Sequence, residues 1–484
     1  MSEANTGAGS SCENLLTLVK YLVMNNDFKN KKVLVMGLGL HGGGVAAARW
    51  LAKRGVEVIV TDLRDRKILK SSLEKLKSLK IKYALGGHNA EDFKMADMVV
   101  QNPGVPYDSP YLKIAKKFGA EIVNEAALFF KYAKSKNIIG ITGTKGKSTT
   151  SALIHKILRA KWPKSLLAGN IRDTAMLDIA DRSKKNTPIV LELSSWQLEG
   201  LEKIHTGPRI AVITNIYQDH LNRYPSYQAY IAAKDNILKF QKNEDGAILN
   251  YDNAILRAFG KKYLKRGRKI IWFSKSEKTN GAYLKNGRVF FGDQKIMPFS
   301  EIQIPGEHNI ENVLAAVCVA KILRVSNDII RRQIASFKGV PNRLELIRSV
   351  NGTKYYNDTT ATAPDAAISA LKTLGNADKK NIILIAGGAN KKLDYKRFVE
   401  VINKFVKILI VFPGTATKKI LNESLRPDQI IGAQSMDFAV NAAASLAKTG
   451  DIVLLSPGAA SFGLFLHEFD RGEKFVKAVK ALKL

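Results

Sequence analysis

The chain has 484 residues, which suggests about three domains at roughly 150 residues per domain. Its apolar content of 45% suits a soluble globular protein, no apolar run approaches the roughly 18 residues of a membrane helix, and the N-terminus does not resemble a signal peptide. The two cysteines lie far apart and outside any CxxC spacing, so we expect a cytoplasmic protein without membrane insertion, whose formal net charge is +33.

The first predicted elements form a βαβ unit, which favours a parallel sheet. A buried strand, KVLVM, leads into the turn Gly37-x-Gly39-x-x-Gly42, a helical pattern follows, and a second strand ends at Asp62. This spacing is typical of a dinucleotide-binding fingerprint. NAD(P), another nucleotide-like ligand, or a tight turn that binds nothing all remain compatible with it. A nearby pair, Gly43-Gly44, has no evident reason beyond close approach of backbone or ligand.

A second glycine motif begins after the predicted strand NIIGIT and leads into a helix. It comprises Gly143, Thr144, Lys145, Gly146, Lys147, Ser148 and Thr149. In such a phosphate loop the backbone N–H groups surround phosphate oxygens, Lys147 reaches the β- and γ-phosphates, and Ser148 binds Mg²⁺. The strict motif requires glycine where this chain has Ile141, so a glycine-rich turn with a surface lysine is the alternative.

Polar side chains also end two further predicted strands of the same region. Glu192 lies in VLELSS and His220 in TNIYQDHLNRY, and a carboxylate and an imidazole beside a phosphate loop indicate a metal site. Taken singly, each could be an ordinary strand-end residue. Lys234, in the predicted helix YIAAKDNIL, would by itself be interpreted as a surface lysine.

The rest of the chain predicts one small antiparallel sheet and one more α/β region. Residues 245–300 alternate and carry turn signals, and GEHNIENVLAAVCVAKIL is a strong helix. New strands follow from TKYYND onward. We therefore predict domains at 1–135, 136–340 and 341–484.

The segments TGTKGKSTT, LELSSWQLE, TNIYQDHLNRY, EHNIEN and VPNRLE together resemble the Mur ligase family, and the similarity runs from about Lys32 to the C-terminus. The first domain resembles the D-glutamate-adding type. The resemblance implies an α/β fold of three domains. These are a Rossmann-like N-terminal domain, a central P-loop ATPase domain with a parallel and a small antiparallel sheet, and a Rossmann-like C-terminal domain.

The same resemblance implies an ATP-dependent ligase of peptidoglycan precursor biosynthesis. It would join D-glutamate to UDP-N-acetylmuramoyl-L-alanine through an acyl phosphate, as a monomer, with two Mg²⁺ ions and a CO₂-derived carbamate on Lys234. The implied catalytic residues are Lys147, His220 and Lys234, and the implied metal ligands are Ser148, Glu192, His220 and carbamylated Lys234.

The resemblance also assigns residues to each substrate. The phosphate loop, Asn309, Asn312, Arg343 and Asp358 would bind ATP. The UDP substrate would contact Gly37, Leu38, Gly39, Asp62 and Asn170. The third domain would hold the amino acid through Lys391, Ser461 and Phe469.

Four positions depart from the family pattern, and they keep alternatives open. Lys145 stands where asparagine is common, Asn342 where histidine is, Thr360 where lysine is, and Glu468 where an aromatic residue is. Another Mur-type ligase with a different amino acid or acceptor is the nearest alternative. An NAD(P)-dependent oxidoreductase would leave the second glycine loop unexplained, and a catalytically inactive, partner-binding relative would not need the retained lysines and metal ligands.

The positive charge raises the further alternative of a nucleic-acid-binding protein. Lysine and arginine are spread through every predicted domain, and the short basic runs at 64–70 and 261–268 are interpreted as solvated faces. We therefore predict no specific nucleic-acid partner and attribute the charge to solubility, with some benefit for anionic substrates.

Overall fold

The computed structural model describes residues 27–40, 42–171, 174–220, 223–390, 393–423, 425, 428–461 and 463–482. Internal contacts divide the chain into two compact units. The first contains Met1–Phe299 with Glu311–Gln333, and the second contains Ser300–Ile310 with Ile334–Leu484.

The first unit begins with a five-stranded parallel sheet in the order β3-β2-β1-β4-β5. Its strands are β1 (Lys32–Met36), β2 (Glu57–Asp62), β3 (Ile81–Leu85), β4 (Met98–Gln101) and β5 (Glu121–Val123). The accompanying helices are α1 (Gly43–Ala52), α2 (Lys70–Glu74), α3 (Ala90–Lys94), α4 (Pro110–Lys117) and α5 (Glu125–Tyr132). Strand β1 is almost continuously apolar because helices cover both faces of the sheet.

A six-stranded parallel sheet follows in the order β11-β10-β9-β6-β8-β7. Its strands are β6 (Ile138–Thr142), β7 (Leu166–Gly169), β8 (Ile189–Glu192), β9 (Ile210–Ile213), β10 (Gly246–Asn250) and β11 (Lys269–Phe273). The helices of this region are α6 (Lys147–Lys161), α7 (Met176–Ala180), α8 (Ser195–Lys203), α9 (Tyr227–Lys239), α10 (Ala254–Leu264), α11 (His308–Ile322) and α12 (Asn327–Ala335).

Strand order decides where each parallel sheet can bind a ligand. Connections leave in opposite directions on the two sides of β1 in the first sheet and of β6 in the second. A crevice forms at the carboxyl ends of the strands at such a switch point. Both glycine motifs follow these two strands, so each lies where an α/β sheet binds its ligand.

A small antiparallel sheet completes the first unit. It consists of β12 (Ala282–Lys285), β13 (Arg288–Phe291) and β14 (Gln294–Pro298), followed by a 3₁₀ turn at Phe299–Glu301. The rings of Tyr283 and Phe290 stack across β12 and β13 with centroids 5.3 Å apart, which is a favourable cross-strand pair.

The second unit contains a mixed six-stranded sheet in the order β15-β16-β20-β17-β18-β19, in which only the β15–β16 pair is antiparallel. Its strands are β15 (Glu345–Val350), β16 (Thr353–Asn357), β17 (Ile382–Gly387), β18 (Val406–Phe412), β19 (Gln429–Gly432) and β20 (Ile452–Leu455). Its helices are α13 (Pro364–Leu374), α14 (Lys396–Phe405), α15 (Thr415–Leu421), α16 (Met436–Leu446) and α17 (Glu468–Ala481).

These sheets confirm the predicted fold class: parallel α/β layers with one small antiparallel sheet. The boundaries at 135 and 340 stay predictions. Within the described ranges, no helix is both long and apolar enough to cross a bilayer.

Candidate active site

The second glycine motif is a loop between β6 and α6, and two of its glycines are sterically required. Gly143 has φ of 150°, and a Cβ there would lie 1.9 Å from the hydroxyl of Thr214. Gly146 has φ of 85° at the start of α6, and its Cβ would lie 2.2 Å from Oδ1 of Asn312. Close contacts therefore fix the loop at the N-terminus of a fifteen-residue helix, where an anion is favoured.

Hydrogen bonds from the end of β9 hold the backbone of this loop. Thr214 donates its hydroxyl to the carbonyl of Lys145 at 2.6 Å, and the Lys145 N–H donates to Oδ1 of Asn215 at 2.9 Å. The Nζ of Lys147 folds back onto the carbonyls of Gly143 and Thr144, at 2.9 and 3.1 Å. The arrangement therefore places a lysine ammonium against the loop that would surround phosphate groups.

Glu192 ends β8 directly beside the phosphate loop, since it pairs with Ile141 of β6. Its side chain is only 1% exposed. Oε1 accepts a hydrogen bond from Nδ2 of Asn170 at 3.0 Å, while the buried Oε2 has no hydrogen-bond partner among the described residues. A buried carboxylate oxygen without a partner is costly, so a bound cation would offset its desolvation.

Lys234 is not the surface lysine that its helix would suggest alone. It is 1% exposed on α9, and its Nζ donates to the carbonyl of Gly143 at 2.9 Å and lies 4.8 Å from the centre of the Tyr230 ring. Burial, reinforced by the nearby charge of Lys147, holds the pKa of Lys234 well below its ordinary value. The neutral amine is therefore far more accessible here than in a solvated lysine.

His220 follows β9 with φ of 55°, and its side chain is exposed. Its ring centre lies 5.8 Å from that of Tyr230, whose hydroxyl is 3.1 Å from the hydroxyl of Thr144 in the loop. Partial desolvation lowers the pKa of His220 against the opposing charge of Asp219, and the charges of Lys147 and Lys234 lower it further. A neutral imidazole is the form that can bind a metal.

Mg²⁺ prefers oxygen ligands and usually takes only one or two protein carboxylates beside substrate phosphates and water. The unpartnered oxygen of Glu192 and the position of Ser148 in the loop fit this donor set. Among the described residues, no group of three His, Cys, Asp or Glu side chains forms a metal site by itself.

In the first sheet, the glycine turn after β1 is hydrogen-bonded to Asp62 at the end of β2. Gly37 and Gly39 have φ of 90° and 64°, and the Gly39 N–H donates to Oδ2 of Asp62 at 3.0 Å. Gly44 has a clear steric reason, because a Cβ there would lie 2.4 Å from the carbonyl of Leu38. At Gly43 the nearest atom would be 3.5 Å away, so nothing in the structure explains that glycine.

Asn312 and Asn309 lie in different units although both belong to α11. Asn312 accepts a hydrogen bond from the hydroxyl of Thr150 at 3.1 Å and so belongs with the phosphate loop. Asn309 belongs to the second unit, where its amide donates to the carbonyl of Pro305 at 2.6 Å.

The remaining nucleotide candidates are adjacent in the second unit. Asp358 follows β16 and accepts hydrogen bonds from the Ser456 hydroxyl at 2.8 Å and the Leu344 N–H at 3.2 Å. Burial raises the pKa of Asp358 to about 7, against the opposing charge of Arg343. This carboxyl group therefore titrates near neutral pH.

The amino-acid candidates are only partly described. Ser461 is buried next to the bridge between Ala389 and Ala460, and Phe469 is half-buried near the start of α17. Lys391 lies outside the described residues.

Two departures from the family pattern contact each other. Thr360 donates its hydroxyl to the carbonyl of Asn342 at 2.9 Å, and Asn342 adopts φ of 66°. A third departure, Glu468, accepts a hydrogen bond through its carbonyl from Thr359 at 2.7 Å. These positions therefore belong to one connected part of the second unit.

Sequence reasoning did not single out Arg471, which is fully buried. It donates to the carbonyls of Thr359 and Ala459 at 2.9 and 3.3 Å, and burial lowers its pKa to about 10. The sequence signal was an arginine in a segment already matched to the amino-acid site, but nothing in the pattern indicated that it was buried.

A second omission is Arg223, between the two parallel sheets of the first unit. Its guanidinium lies 4.8 Å from the Trp196 ring centre and donates to the carbonyl of Pro103 at 3.1 Å. With Asn102 and Asn124 these residues line a cavity of about 60 Å³. Polar groups from both sheets therefore meet beyond the carboxyl ends of β4 and β8.

The predicted site residues fall into three groups, each described within its own unit. The phosphate loop, Asn170, Glu192, His220, Lys234 and Asn312 gather around the carboxyl end of β6. Gly37, Leu38, Gly39 and Asp62 form a separate turn on the first sheet. Arg343, Asp358, Ser461, Phe469 and Asn309 belong to the second unit.

Family models match most of the chain. A Mur ligase MurD-like N-terminal domain matches residues 31–124, a Mur ligase middle domain 141–320, and a Mur ligase glutamate ligase domain 342–458. The UDP-N-acetylmuramoylalanine–D-glutamate ligase of Roseiflexus sp. is 42% identical over 93% of this chain and 98% of its own length. The enzyme of the same name from Borreliella afzelii is 39% identical over 94% of this chain and 99% of its own length.

Solved structures with the same fold are more distant in sequence. UDP-N-acetylmuramate–alanine ligase from Thermotoga maritima aligns with a TM-score of 0.62 at 18% identity, over 94% of this chain and all of that one. A pseudomurein peptide ligase from Methanothermus fervidus aligns with a TM-score of 0.55 at 21% identity, over the same shares.

Proposed function

The chain belongs to the Mur ligase family, and from this premise we propose that it joins D-glutamate to UDP-N-acetylmuramoyl-L-alanine at the expense of ATP. The relatives that carry this activity in their names match over nearly their full length, and the family models cover all three predicted regions. The proposed reaction is a step of peptidoglycan precursor biosynthesis. Family membership also removes the basis for the oxidoreductase alternative.

The reaction needs ATP because a carboxylate does not condense with an amine in water, where hydroxide is a poor leaving group. A carboxylate oxygen of the alanyl residue attacks the γ-phosphorus, and ADP leaves. The amine of glutamate then attacks the acyl phosphate, phosphate leaves, and the nitrogen loses a proton. The protein's contribution is to position anionic groups and neutralise their charge.

The phosphate loop with Lys147 performs that neutralisation in the proposal. The backbone N–H groups from Gly146 to Thr149, at the positive end of α6, would donate to the phosphates, while the Thr144 and Lys145 N–H groups donate to Asn215 and hold the loop in place. Lys147 moves from the carbonyls that it now contacts to the β- and γ-phosphate oxygens. Asn312, Asn309, Arg343 and Asp358 would hold the nucleoside.

Ser148, Glu192, His220 and the carbamate of Lys234 would hold two Mg²⁺ ions, which are proposed from the family and from the unpartnered oxygen of Glu192. When bound, Mg²⁺ offsets the negative charge that gathers between the phosphate and carboxylate groups. The neutral amine of Lys234 would combine with CO₂ and release one proton, which leaves an anionic carbamate suited to a metal where an ordinary lysine carries a positive charge.

The remaining assignments follow the three predicted domains. Residues 1–135, with Gly37, Leu38, Gly39 and Asp62, would bind the UDP group, and Asn170 the muramoyl portion. Residues 136–340 would bind ATP, and residues 341–484, with Lys391, Ser461 and Phe469, the amino acid. We place the reaction in the cytoplasm, carried out by a monomer without a specific nucleic-acid partner.

One structural observation is the main support for the proposed ATP-dependent reaction. A buried lysine with a depressed pKa, a buried carboxylate oxygen without a partner and a phosphate loop converge on the carboxyl end of β6. An inactive, partner-binding relative would have no need to maintain this costly arrangement.

The test is phosphate release from ATP in the presence of UDP-N-acetylmuramoyl-L-alanine and one amino acid at a time. We expect release with D-glutamate and none with L-glutamate, L-alanine or diaminopimelate. Omitting the UDP substrate controls for simple ATP hydrolysis.

Asn342 and Thr360, which differ from the family pattern and are hydrogen-bonded to each other, make a different amino-acid specificity the main alternative outcome. Release with another amino acid would overturn the D-glutamate assignment and relocate specificity to residues 341–484. Release with none of them, while exchange of the acceptor restores it, would overturn the UDP-substrate assignment.

A further inference from the structure

Part of the positive charge of the chain lies along one edge of the folded protein. In the six-stranded parallel sheet, all amino ends of the strands lie along the edge opposite the phosphate loop. Six short segments lead into these strands: 134–137, 161–165, 181–188, residue 209, 242–245 and 264–269. Together they contain thirteen lysines and arginines and three acidic residues, Asp181, Glu244 and Asp245.

We call these thirteen residues the basic edge. They are Lys134, Lys136, Lys161, Lys164, Arg182, Lys184, Lys185, Arg209, Lys242, Lys265, Arg266, Arg268 and Lys269. All are exposed except Arg268, which is half-buried, and Asp245 is buried.

Backbone contacts show that the segments are neighbours along this edge. The Ile189 N–H donates to the carbonyl of Asn137, and the Gly246 N–H donates to that of Arg209, both at 3.0 Å. The guanidinium of Arg209 also donates to the side chain of Asn137 at 3.2 Å. Six adjacent strands span about 25 Å, so the positive charge forms a band rather than a point.

Two apolar side chains are interspersed with this charge at the two ends of the sheet. Leu264 precedes β11 and is 50% exposed. Trp162 precedes β7 and is half-buried, and the ammonium of Lys161 lies 4.6 Å from its ring centre. Tryptophan and leucine among lysines gain free energy at a lipid headgroup boundary, where an apolar medium adjoins an anionic surface.

We propose that the basic edge docks the protein on the surface of a bilayer that contains anionic phospholipids. Clusters of lysine and arginine bind such surfaces without inserting a helix. The strands of the sheet are about 15 Å long, so the phosphate loop at their carboxyl ends faces away from the membrane and stays open to soluble substrates.

The features of the edge favour lipid over nucleic acid. A duplex is read by a helix or ribbon that enters a groove, whereas this charge lies on loop ends spread over about 25 Å. Single strands need free aromatic faces for stacking, and an ammonium lies near the Trp162 ring. The inference concerns only this surface and does not depend on the proposed reaction.

The experiment is co-sedimentation of the full chain with phosphatidylcholine vesicles, with and without phosphatidylglycerol, at physiological ionic strength. The edge variant is Lys164→Glu, Lys185→Glu and Lys265→Glu. The control variant is Lys80→Glu, Lys113→Glu and Lys117→Glu, three exposed lysines around the five-stranded sheet. Each variant lowers the formal net charge by six, from +33 to +27.

We expect wild type and control to sediment with phosphatidylglycerol vesicles only, and the bound fraction of the edge variant to fall about ten-fold. Equal losses in both variants, or equal binding to pure phosphatidylcholine, would overturn the proposal. Tighter binding of wild type to duplex DNA than to the anionic vesicles, lost in the edge variant, would replace it with a nucleic-acid interface. If the glutamate variant is unfolded by circular dichroism, glutamine at the same three positions provides the test.

Discussion

At the scale of single residues, Lys234 is the most informative side chain of the site. A fully buried ammonium is expensive unless a carboxylate pairs with it, and here Nζ bonds to the carbonyl of Gly143 and the hydroxyl of Thr142. Lys147 donates to the same carbonyl, and its positive charge repels the ammonium of Lys234. Carbamylation turns Lys234 into an anion, so the repulsion between Lys147 and Lys234 becomes an attraction and the free energy cost of burying the two side chains together falls.

We predict that Lys234→Ala abolishes most phosphate release and that bicarbonate does not restore it, because alanine cannot carry the carbamate. Lys239→Ala is the matched control on the same helix, since Lys239 is exposed and pairs with Glu202 at 2.7 Å. The measurement is steady-state phosphate release with saturating substrates. Near wild-type rates in the Lys234 variant would remove this residue from the chemistry.

Glu192 provides the second prediction at this scale. Glu192→Gln keeps the shape and the bond from Asn170 but removes the charge of the unpartnered oxygen. We expect the Mg²⁺ concentration for half-maximal activity to rise on the order of ten-fold, since the ligand's charge is lost. Glu202→Gln, on the exposed surface, should leave the Mg²⁺ titration unchanged. A Glu192→Gln titration that overlays wild type would exclude this carboxylate as a metal ligand.

At the scale of elements, packing against the glycine turn determines where α1 can start. Gly44 lies under the carbonyls of Leu38 and Gly37, at 2.4 and 2.5 Å from where a Cβ would be, while Gly43 has room. Two neighbouring glycines that look equivalent in the sequence therefore have different roles. Only the first turn of α1 in its folded position distinguishes them.

We predict that Gly44→Ala destabilises the protein by about 1–3 kcal/mol, because backbone atoms must move to admit the methyl group. Gly43→Ala, the matched control, should be neutral or slightly stabilising because alanine favours a helix. Urea denaturation of both variants measures the difference. Equal stability of the two would show that the turn can relax around Gly44.

Glu125 links the two parallel sheets of the first unit through helix ends. It lies in the first turn of α5, is buried, and accepts a hydrogen bond from the Leu177 N–H of α7 at 3.1 Å. Burial raises its pKa to about 7, so the folded protein binds this proton more tightly than the unfolded chain does. Stability attributable to Glu125 is therefore present at acidic pH and lost as pH rises toward and through 7.

We predict that the melting temperature falls as pH rises from 5 to 8 and that Glu125→Gln reduces this fall. Glutamine retains an acceptor for Leu177 without releasing a proton, and the pKa shift corresponds to an upper limit of about 3 kcal/mol. Glu121→Gln, an exposed site nearby, is the control. Identical pH profiles for wild type and Glu125→Gln would contradict the buried titration.

At the scale of the whole molecule, the residues proposed to hold one ATP belong to different compact units. Lys147 and Asn312 belong to the first unit, and Arg343 and Asp358 belong to the second. Because a single nucleotide would contact all four, its binding should favour a more closed arrangement of the units.

We therefore expect small-angle X-ray scattering to show a smaller radius of gyration with Mg²⁺ and a non-hydrolysable ATP analogue than without nucleotide. Lys147→Ala, which should weaken nucleotide binding, is the control for nonspecific effects of the ligand. Superimposable curves for wild type in both conditions would argue against closure.

Much of the architecture and of the site was accessible from local patterns. Buried apolar runs ending in Gly37 and Gly143 predicted parallel strands and ligand-binding turns, because chain direction places such turns at the carboxyl edge. The motifs around Lys147, Glu192 and His220 predicted chemistry at the same edge. These signals are local, so the sequence alone carries them.

Other properties depend on residues that are distant in sequence. Lys234 was buried by packing against the phosphate loop, Asn342 and Thr360 became neighbours, and Arg471 was enclosed by carbonyls of separate loops. Thirteen of the 76 lysines and arginines, which come from segments far apart along the chain, lie at one edge because parallel strands align their amino ends. Burial, contact and charge distribution depend on how strands are ordered in space, and only the tertiary structure decided them.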